Sequence, residues 1–330
     1  MHTTNWGIIG LGKIAHKFAS DLKQIPNARL HAVASQSLSR AQAFAEEYQV
    51  PHAFGSYDDI VHCPDLHVVY IATPHVQHCA NTLLCLQHGI PVLCEKPFAM
   101  NAQEAQQMIM MARAQGTFLM EALWTRFLPP IEKTLQIIDA GTIGHVLSIK
   151  ADFGFKAPFD PQSRIFNRAL GGGALLDIGI YPAFLALLLL GQPQQIKALA
   201  QLGSTGVDED LGAILQYSDG RLAHLHATLL ARTKTEAFIY GEKGLIHLHT
   251  RWHEPTSISL LLPNERPQLF QFDFKGYGYA HEAMHVMQCL QESKTESPLL
   301  PMDFSLELMA LLDTIRQEAG IHYGHVGMHE

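Results

Sequence analysis

No two cysteines of this 330-residue chain form a C-x-x-C, and the five present, Cys63, Cys79, Cys85, Cys94 and Cys289, cannot all pair. Reduced, mostly buried thiols are therefore expected rather than a disulfide framework. Clusters of Lys and Arg are missing too. The 23 basic and 31 acidic residues are scattered, at a net charge of -8, so no nucleic-acid partner is expected. The longest apolar run, "YPAFLALLLLG" from Tyr181 to Gly191, is too short to cross a bilayer, and the opening "MHTTNWGIIGLG" shows no basic leader before an apolar core. These absences predict no membrane partner and a cytoplasmic location. Low-complexity blocks are also lacking, and a chain 47% hydrophobic and 16% charged reads as a folded globule, long enough for about two domains.

Histidine, by contrast, is plentiful. "HLH" occurs at His224/His226 and again at His247/His249, and a strand would turn each pair to one face. No third ligand follows either pair at zinc-like spacing, so no metal is expected.

The first 120 residues alternate short, continuously apolar runs ("WGIIGLG", "RLHAVAS", "LHVVYIAT", "IPVLCEK", "TFLMEALW") with helical segments. Such runs predict a parallel sheet covered on both faces. Near Phe127 the texture changes to longer alternating segments, with hairpin signals "SDGR" at Ser218 to Arg221 and "GEKG" at Gly241 to Gly244. The expected fold class is α/β: an N-terminal Rossmann domain, a doubly wound parallel sheet, over residues 1–123, then a C-terminal α+β domain on an open, mostly antiparallel sheet over residues 124–330.

"GIIGLGKIA" sets Gly10, Gly12 and Ala15 as G-x-G-x-x-A between the first strand and the first helix. In that context the pattern predicts a dinucleotide site: Gly10 for the tight turn, Gly12 for close approach of the pyrophosphate, and the amides of the helix that Lys13 and Ile14 begin for the phosphates. The acid that usually holds a ribose 2'-hydroxyl is absent. Ser35, Gln36 and Ser37 occupy its place, and Arg40 follows at the start of the next helix, which favours NADP while leaving NAD possible.

Glu95, Lys96 and Pro97 follow the strand "IPVLC" at its C-terminal end, where open α/β sheets place their ligands. The stretch "GGGALLDIGIYP" carries Asp177 and Tyr181 four residues apart among apolar neighbours. On a helix that spacing stacks them on one face. An ionised Asp177 there needs a polar cavity or a cation. One expectation is that Lys96 supplies it across an interdomain cleft; the plainer one is that Asp177 pairs locally. Lys96-Pro97 is a candidate cis peptide.

Taken with Gly10 and Gly12, "CEKP" at Cys94 to Pro97, "FLMEALWTRF" at Phe118 to Phe127 and "GGGALLDIGIYP" resemble the glucose-fructose oxidoreductase / inositol dehydrogenase / MocA family, over essentially the whole chain. The tyrosine at 181, where the wider family often has histidine, resembles its dihydrodiol dehydrogenase branch. That branch often carries an arginine where Gln36 stands. The resemblance implies no metal and a homodimer built on the outer face of the C-terminal sheet. It also implies that "ATPHVQH", containing Thr73, Pro74, His75 and His78, runs under the nicotinamide.

Oxidising a secondary alcohol requires a base for the hydroxyl proton and a cation for the developing oxyanion, roles that Lys96, Asp177 and Tyr181 together would fill. Trp124, Phe153, Trp252 and Tyr279 are expected to form aromatic walls for a sugar or cyclic diol, with Arg126 and Arg164 as polar contacts. The function expected is hydride transfer between NADP and a secondary alcohol of a trans-dihydrodiol or aldose. Reduction of a deoxy- or anhydro-sugar ketone, or NADP sensing without turnover, are the alternatives.

Overall fold

The computed structural model describes residues 3–323, so the outermost residues of both expected domains lie outside the described residues. The chain divides into two compact units, Met1–Phe127 with Phe274–Leu306, and Leu128–Asp273 with the chain from Glu307 onward.

The first unit alternates β1 (Thr4–Ile9), α1 (Lys13–Leu22), β2 (Ala28–Ala34), α2 (Leu38–Tyr48), β3 (His52–Phe54), β4 (Val68–Ile71), α3 (His78–Gln87), β5 (Val92–Glu95), α4 (Ala102–Gln115) and β6 (Leu119–Ala122). The strands form one parallel sheet in the order β3-β2-β1-β4-β5-β6. Ile8, Ile9, Val33, Val69, Ile71 and Leu93 are fully buried, which is why these strands read as unbroken apolar runs. The order reverses between β1 and β4, and the glycine loop lies at that switch point. Sequence reading missed β3, which has three half-buried residues at the sheet edge.

The second unit begins with α5 (Pro129–Asp139), β7 (Val146–Gly154) and α6 (Ile180–Leu190). It continues through β8 (Gln195–Leu202), β9 (Asp208–Gln216), β10 (Leu222–Thr228), β11 (Ala237–Gly241), β12 (Leu245–Leu248), β13 (Ile258–Leu261) and β14 (Gln268–Phe270). Its eight-stranded sheet runs β14-β13-β12-β11-β7-β10-β9-β8. Every pair is antiparallel except β7 with β10. Both expected hairpins are present, joining β9 to β10 and β11 to β12.

Helix α6 covers one sheet face. The apolar helical stretch Arg168–Leu190 is long enough, by length and composition, to span a membrane, yet its apolar window is 89% buried inside the fold. A helix apolar all round is a core helix when protein surrounds it. In the strand of "RLAHLHATLL" the alternating apolar residues are the buried ones. Ala223, Leu225 and Ala227 are buried, and it is His224 and His226 that alternate with them on the other face.

After β14 the chain returns to the first unit with α7 (Ala280–Gln291), and α8 (Met302–Glu318) follows. Where a single boundary at residue 124 was expected, the chain passes between the units three times, after Phe127, Asp273 and Leu306. The carboxylate of Asp21, on α1, holds the return: it accepts the backbone N–H groups of Tyr277, Gly278 and Tyr279 at 2.8–3.0 Å. A buried carboxylate satisfied by several amides is a strong anchor. Leu119 N–H, on β6, adds a bond of 3.1 Å to Thr295 O.

Candidate active site

The cofactor residues of the first unit follow the C-terminal ends of β1, β2, β4 and β5. Gly10 takes φ +89°, and a Cβ there would lie 2.8 Å from Ala72 backbone atoms, so only glycine fits the turn. Gly12 begins α1 without a side-chain cap, and nothing among the described residues approaches within 4 Å of where its Cβ would be. The first amides of α1 are therefore open to an anionic group, and the loop fits a dinucleotide pyrophosphate. Lys13 is exposed, Ile14 half-buried, and Ala15 fully buried against the sheet.

Beyond β2, Ser35 Oγ accepts Ser37 N–H at 3.3 Å and Ser37 caps α2 by accepting Arg40 N–H at 3.4 Å. Gln36 and Arg40 are exposed, and the guanidinium of Arg40 donates to Leu11 O at 3.1 Å. Arg40 therefore stands beside the glycine loop, where a 2'-phosphate would need a cation.

Lys96 is half-buried, and the turn that carries it is gripped on three sides. Its own N–H donates to Glu95 Oε2 at 3.1 Å, Phe98 N–H donates to Glu121 Oε1 at 3.0 Å, and His78 Nδ1 lies 2.8 Å from Pro97 O. The Lys96-Pro97 peptide is cis, as expected. Glu95 also accepts the Tyr70 hydroxyl. Burial pushes the Tyr70 phenol and the Glu282 carboxyl well above their ordinary ranges, helped in both cases by the charge of Glu95, while burial lifts Glu121 to about 7. Sequence reading missed Glu121, although it sits in the quoted "MEALW", because nothing in the motif shows which backbone amide it grips.

His78 needs a correction. It is fully enclosed, with Nε2 2.9 Å from Thr73 O and Nδ1 on Pro97 O, so it cannot touch a cofactor. It instead braces the Thr73 turn against the Lys96 turn. Thr73, itself buried, accepts Asn81 Nδ2 at 3.2 Å through Oγ1; His75 is buried and Pro74 half-buried. Trp124 and Tyr279 are nearly enclosed and stacked, centroids 4.4 Å apart and 6° from parallel. Arg126 Nε donates to Leu299 O at 3.0 Å.

In the second unit the glycines of "GGGALLDIGIYP" let two chain segments touch. A Cβ on Gly172 would lie 2.5 Å from Ile165 O and 2.7 Å from Arg164 O, so the Arg164 segment closes on the helix only because that side chain is absent. Arg164 Nη2 then donates to Asp177 Oδ1 at 2.9 Å. Within this unit, therefore, Arg164 is a cation that meets Asp177. The helix is not regular there: Leu175–Gly179 forms a π-turn before α6, a distortion frequent at functional sites.

Tyr181 is 5% exposed and lies in an aromatic group that the sequence only half predicts. Phe153 lies 5.7 Å from it and His253 4.9 Å, while Phe153 and His253 stack at 3.9 Å. Trp252 corrects another expectation. It is fully buried and its indole N–H donates to Asp152 O at 3.0 Å, which makes it core. Its neighbour His253 takes the place by Tyr181, and a single sequence offers no signal for preferring it over the tryptophan.

Residues 4–123 match the family described as "Oxidoreductase family, NAD-binding Rossmann fold" and residues 131–247 the "GFO/IDH/MocA C-terminal domain". Trans-1,2-dihydrobenzene-1,2-diol dehydrogenase of Mus musculus is 37% identical over 96% of this chain and 97% of its own, and that of Xenopus tropicalis 37% over 97% and 99%. An aldose-aldose oxidoreductase from Caulobacter crescentus, solved with glycerol, superposes with TM-score 0.88 at 23% identity over 97% of this chain and 98% of that one. A 3-ketoreductase from Actinomadura kijaniata, solved with NADP and TDP-benzene, superposes with TM-score 0.86 at 25% identity over 96% and 98%. With the glycine loop, the gripped lysine turn and both domain types in sequence, the chain belongs to the GFO/IDH/MocA family of oxidoreductases.

Proposed function

We propose that the protein is an NADP-dependent dehydrogenase that oxidises a secondary alcohol of a trans-dihydrodiol or an aldose. The observation that carries this reading is the near-full-length identity to dihydrodiol dehydrogenases. A dinucleotide held by the glycine loop of Gly10 and Gly12 and by the first amides of α1 would supply the hydride acceptor. Lys96 supplies the cation that stabilises charge on the substrate oxygen, and Tyr181 the phenol through which the hydroxyl proton leaves. Asp177, fixed by Arg164, contributes the negative charge that sets the polarity of the site. Phe153, half-buried beside Tyr181 and backed by His253, offers a flat face to a ring substrate.

NADPH formation, followed spectrophotometrically with cyclic trans-diols, pentoses and hexoses, tests the reading. Turnover is expected with at least one class, and faster with NADP than with NAD. Arg40→Ala should narrow that difference, because the variant loses the cation beside the glycine loop. Silence across the panel with NADP binding intact would replace the dehydrogenase by a sensor.

The protein acts as a homodimer built on the second unit's sheet. The sheet face opposite α6 carries Leu199, 82% exposed, with Ile214 and Tyr240 also exposed, more apolar surface than a solvated face needs. Light scattering at micromolar concentration should give twice the chain mass; the monomer mass would refute this. Five free, buried cysteines suit a reducing compartment such as the cytoplasm.

A further inference from the structure

Away from the cofactor residues, three side chains of the first unit have the chemistry of a metal centre. His31 of β2, His52 at the start of β3, and Cys63 in the segment leading to β4 each bring a donor atom, all within 4.8 Å of one another. His31 and Cys63 are each 7% exposed, and His52 is half-buried. The His31 and His52 rings meet edge to face, centroids 4.7 Å apart.

The decisive detail is the protonation pattern of His31. Its Nε2 lies 3.0 Å from Pro64 O, a carbonyl that can only accept, so Nε2 carries the proton and donates. Nδ1 is left with its lone pair, buried and, among the described residues, without a hydrogen-bond partner. An orphaned buried acceptor is costly and calls for an explanation. A ring with one nitrogen donating to a backbone carbonyl and the other presenting a lone pair is the form in which metal-bound histidines are held.

We propose that His31, His52 and Cys63 bind one zinc ion. Two imidazoles and a thiolate select a borderline-soft cation over magnesium or calcium. Zinc bonds of about 2.0–2.3 Å put tetrahedral ligands about 3.3–3.8 Å apart, so side-chain rotation must draw the donors in by about an ångström. Binding displaces the Cys63 thiol proton to solvent, and water completes the four-coordinate shell. The sequence gives no hint of this site. Its ligands fall on three separate segments, none in an "HLH" pair, and the sheet alone brings β2 and β3 together. The site lies back along β2 from the Ser35 to Ser37 turn, so it pins the three-residue edge strand β3 rather than serving hydride transfer.

The experiment titrates the chelator-stripped full-length protein with Zn2+, by calorimetry and by thermal midpoint, and with Co2+ by absorption. Expected are one zinc per chain, a raised midpoint, and a thiolate-to-cobalt charge-transfer band. Cys63→Ser should abolish the band, and both Cys63→Ser and His52→Gln should weaken zinc binding at least about tenfold, a ligand counting for more than the outer partners of a metal site. His52 is the less buried of the two, so His52→Gln covers the case in which Cys63→Ser fails to fold. Absence of zinc binding by the wild type, or binding and a cobalt band unchanged in the variants, would overturn the proposal.

Discussion

Lys96→Met is expected to lower turnover at least about 100-fold while NADP affinity stays near wild type, the low end of what a proton-transfer or charge-stabilising group contributes. Methionine roughly keeps the length of the side chain and removes its charge. The fold of the turn should survive, because the three bonds that grip it run through the backbone of Lys96, Pro97 and Phe98 and not through the lysine side chain. The glycine loop and the α1 amides, whose geometry fits a pyrophosphate, are untouched. Stopped-flow reduction of NADP, with cofactor affinity measured separately by fluorescence, checks this. Turnover near wild type, or loss of NADP binding in step with turnover, would remove Lys96 from the chemistry.

Tyr181→Phe should cost turnover on the same scale. It deletes one oxygen from a side chain whose ring stays packed against Phe153 and His253, so stability should hardly change. A free phenol titrates near 10 and is a poor base at neutral pH. Tyr181 can serve only if a positive charge favours its phenolate, and the proposal gives that role to Lys96. Both residues then act on one proton, and the double variant should be little worse than either single one. Steady-state kinetics of the three variants measure this. Near-normal turnover in Tyr181→Phe would make the phenol a packing group, and fully multiplicative losses would mean two separate steps.

The strand-turn-helix at Gly10 to Ala15 was legible because glycine spacing, an apolar strand and a helix start all point to one structure. Lys96 was legible for a similar reason, lying at a strand end where parallel sheets place ligands. For Asp177 the sequence left a local pairing open without naming Arg164 as the pair. Arg164 reaches it because a glycine at 172 lets two backbones come together, and that approach belongs to tertiary structure. The π-turn at Leu175–Gly179 is hidden in a run that reads as plain helix. β3 escaped because three half-buried residues carry too little pattern to count as a strand. His78 and Trp252 show the opposite error. Both belong to stretches that were marked for function, yet full enclosure gives one to bracing and the other to the core.

The bonds from Tyr277, Gly278 and Tyr279 to Asp21 also bear on how the chain is born. Synthesis runs from the amino end, and domains ordinarily fold as they leave the ribosome. Here the carboxylate of α1 is made early and its amide donors late, with the whole stretch Leu128–Asp273 between them. Until that stretch has been translated, the nascent Rossmann sheet must hold an acid meant for burial in contact with water. Its α1 surface stays open to chaperones and to unrelated chains. The half of the molecule written first is thus finished nearly last, and a ribosome stalled anywhere before Tyr279 would carry a glycine loop on an unfinished support.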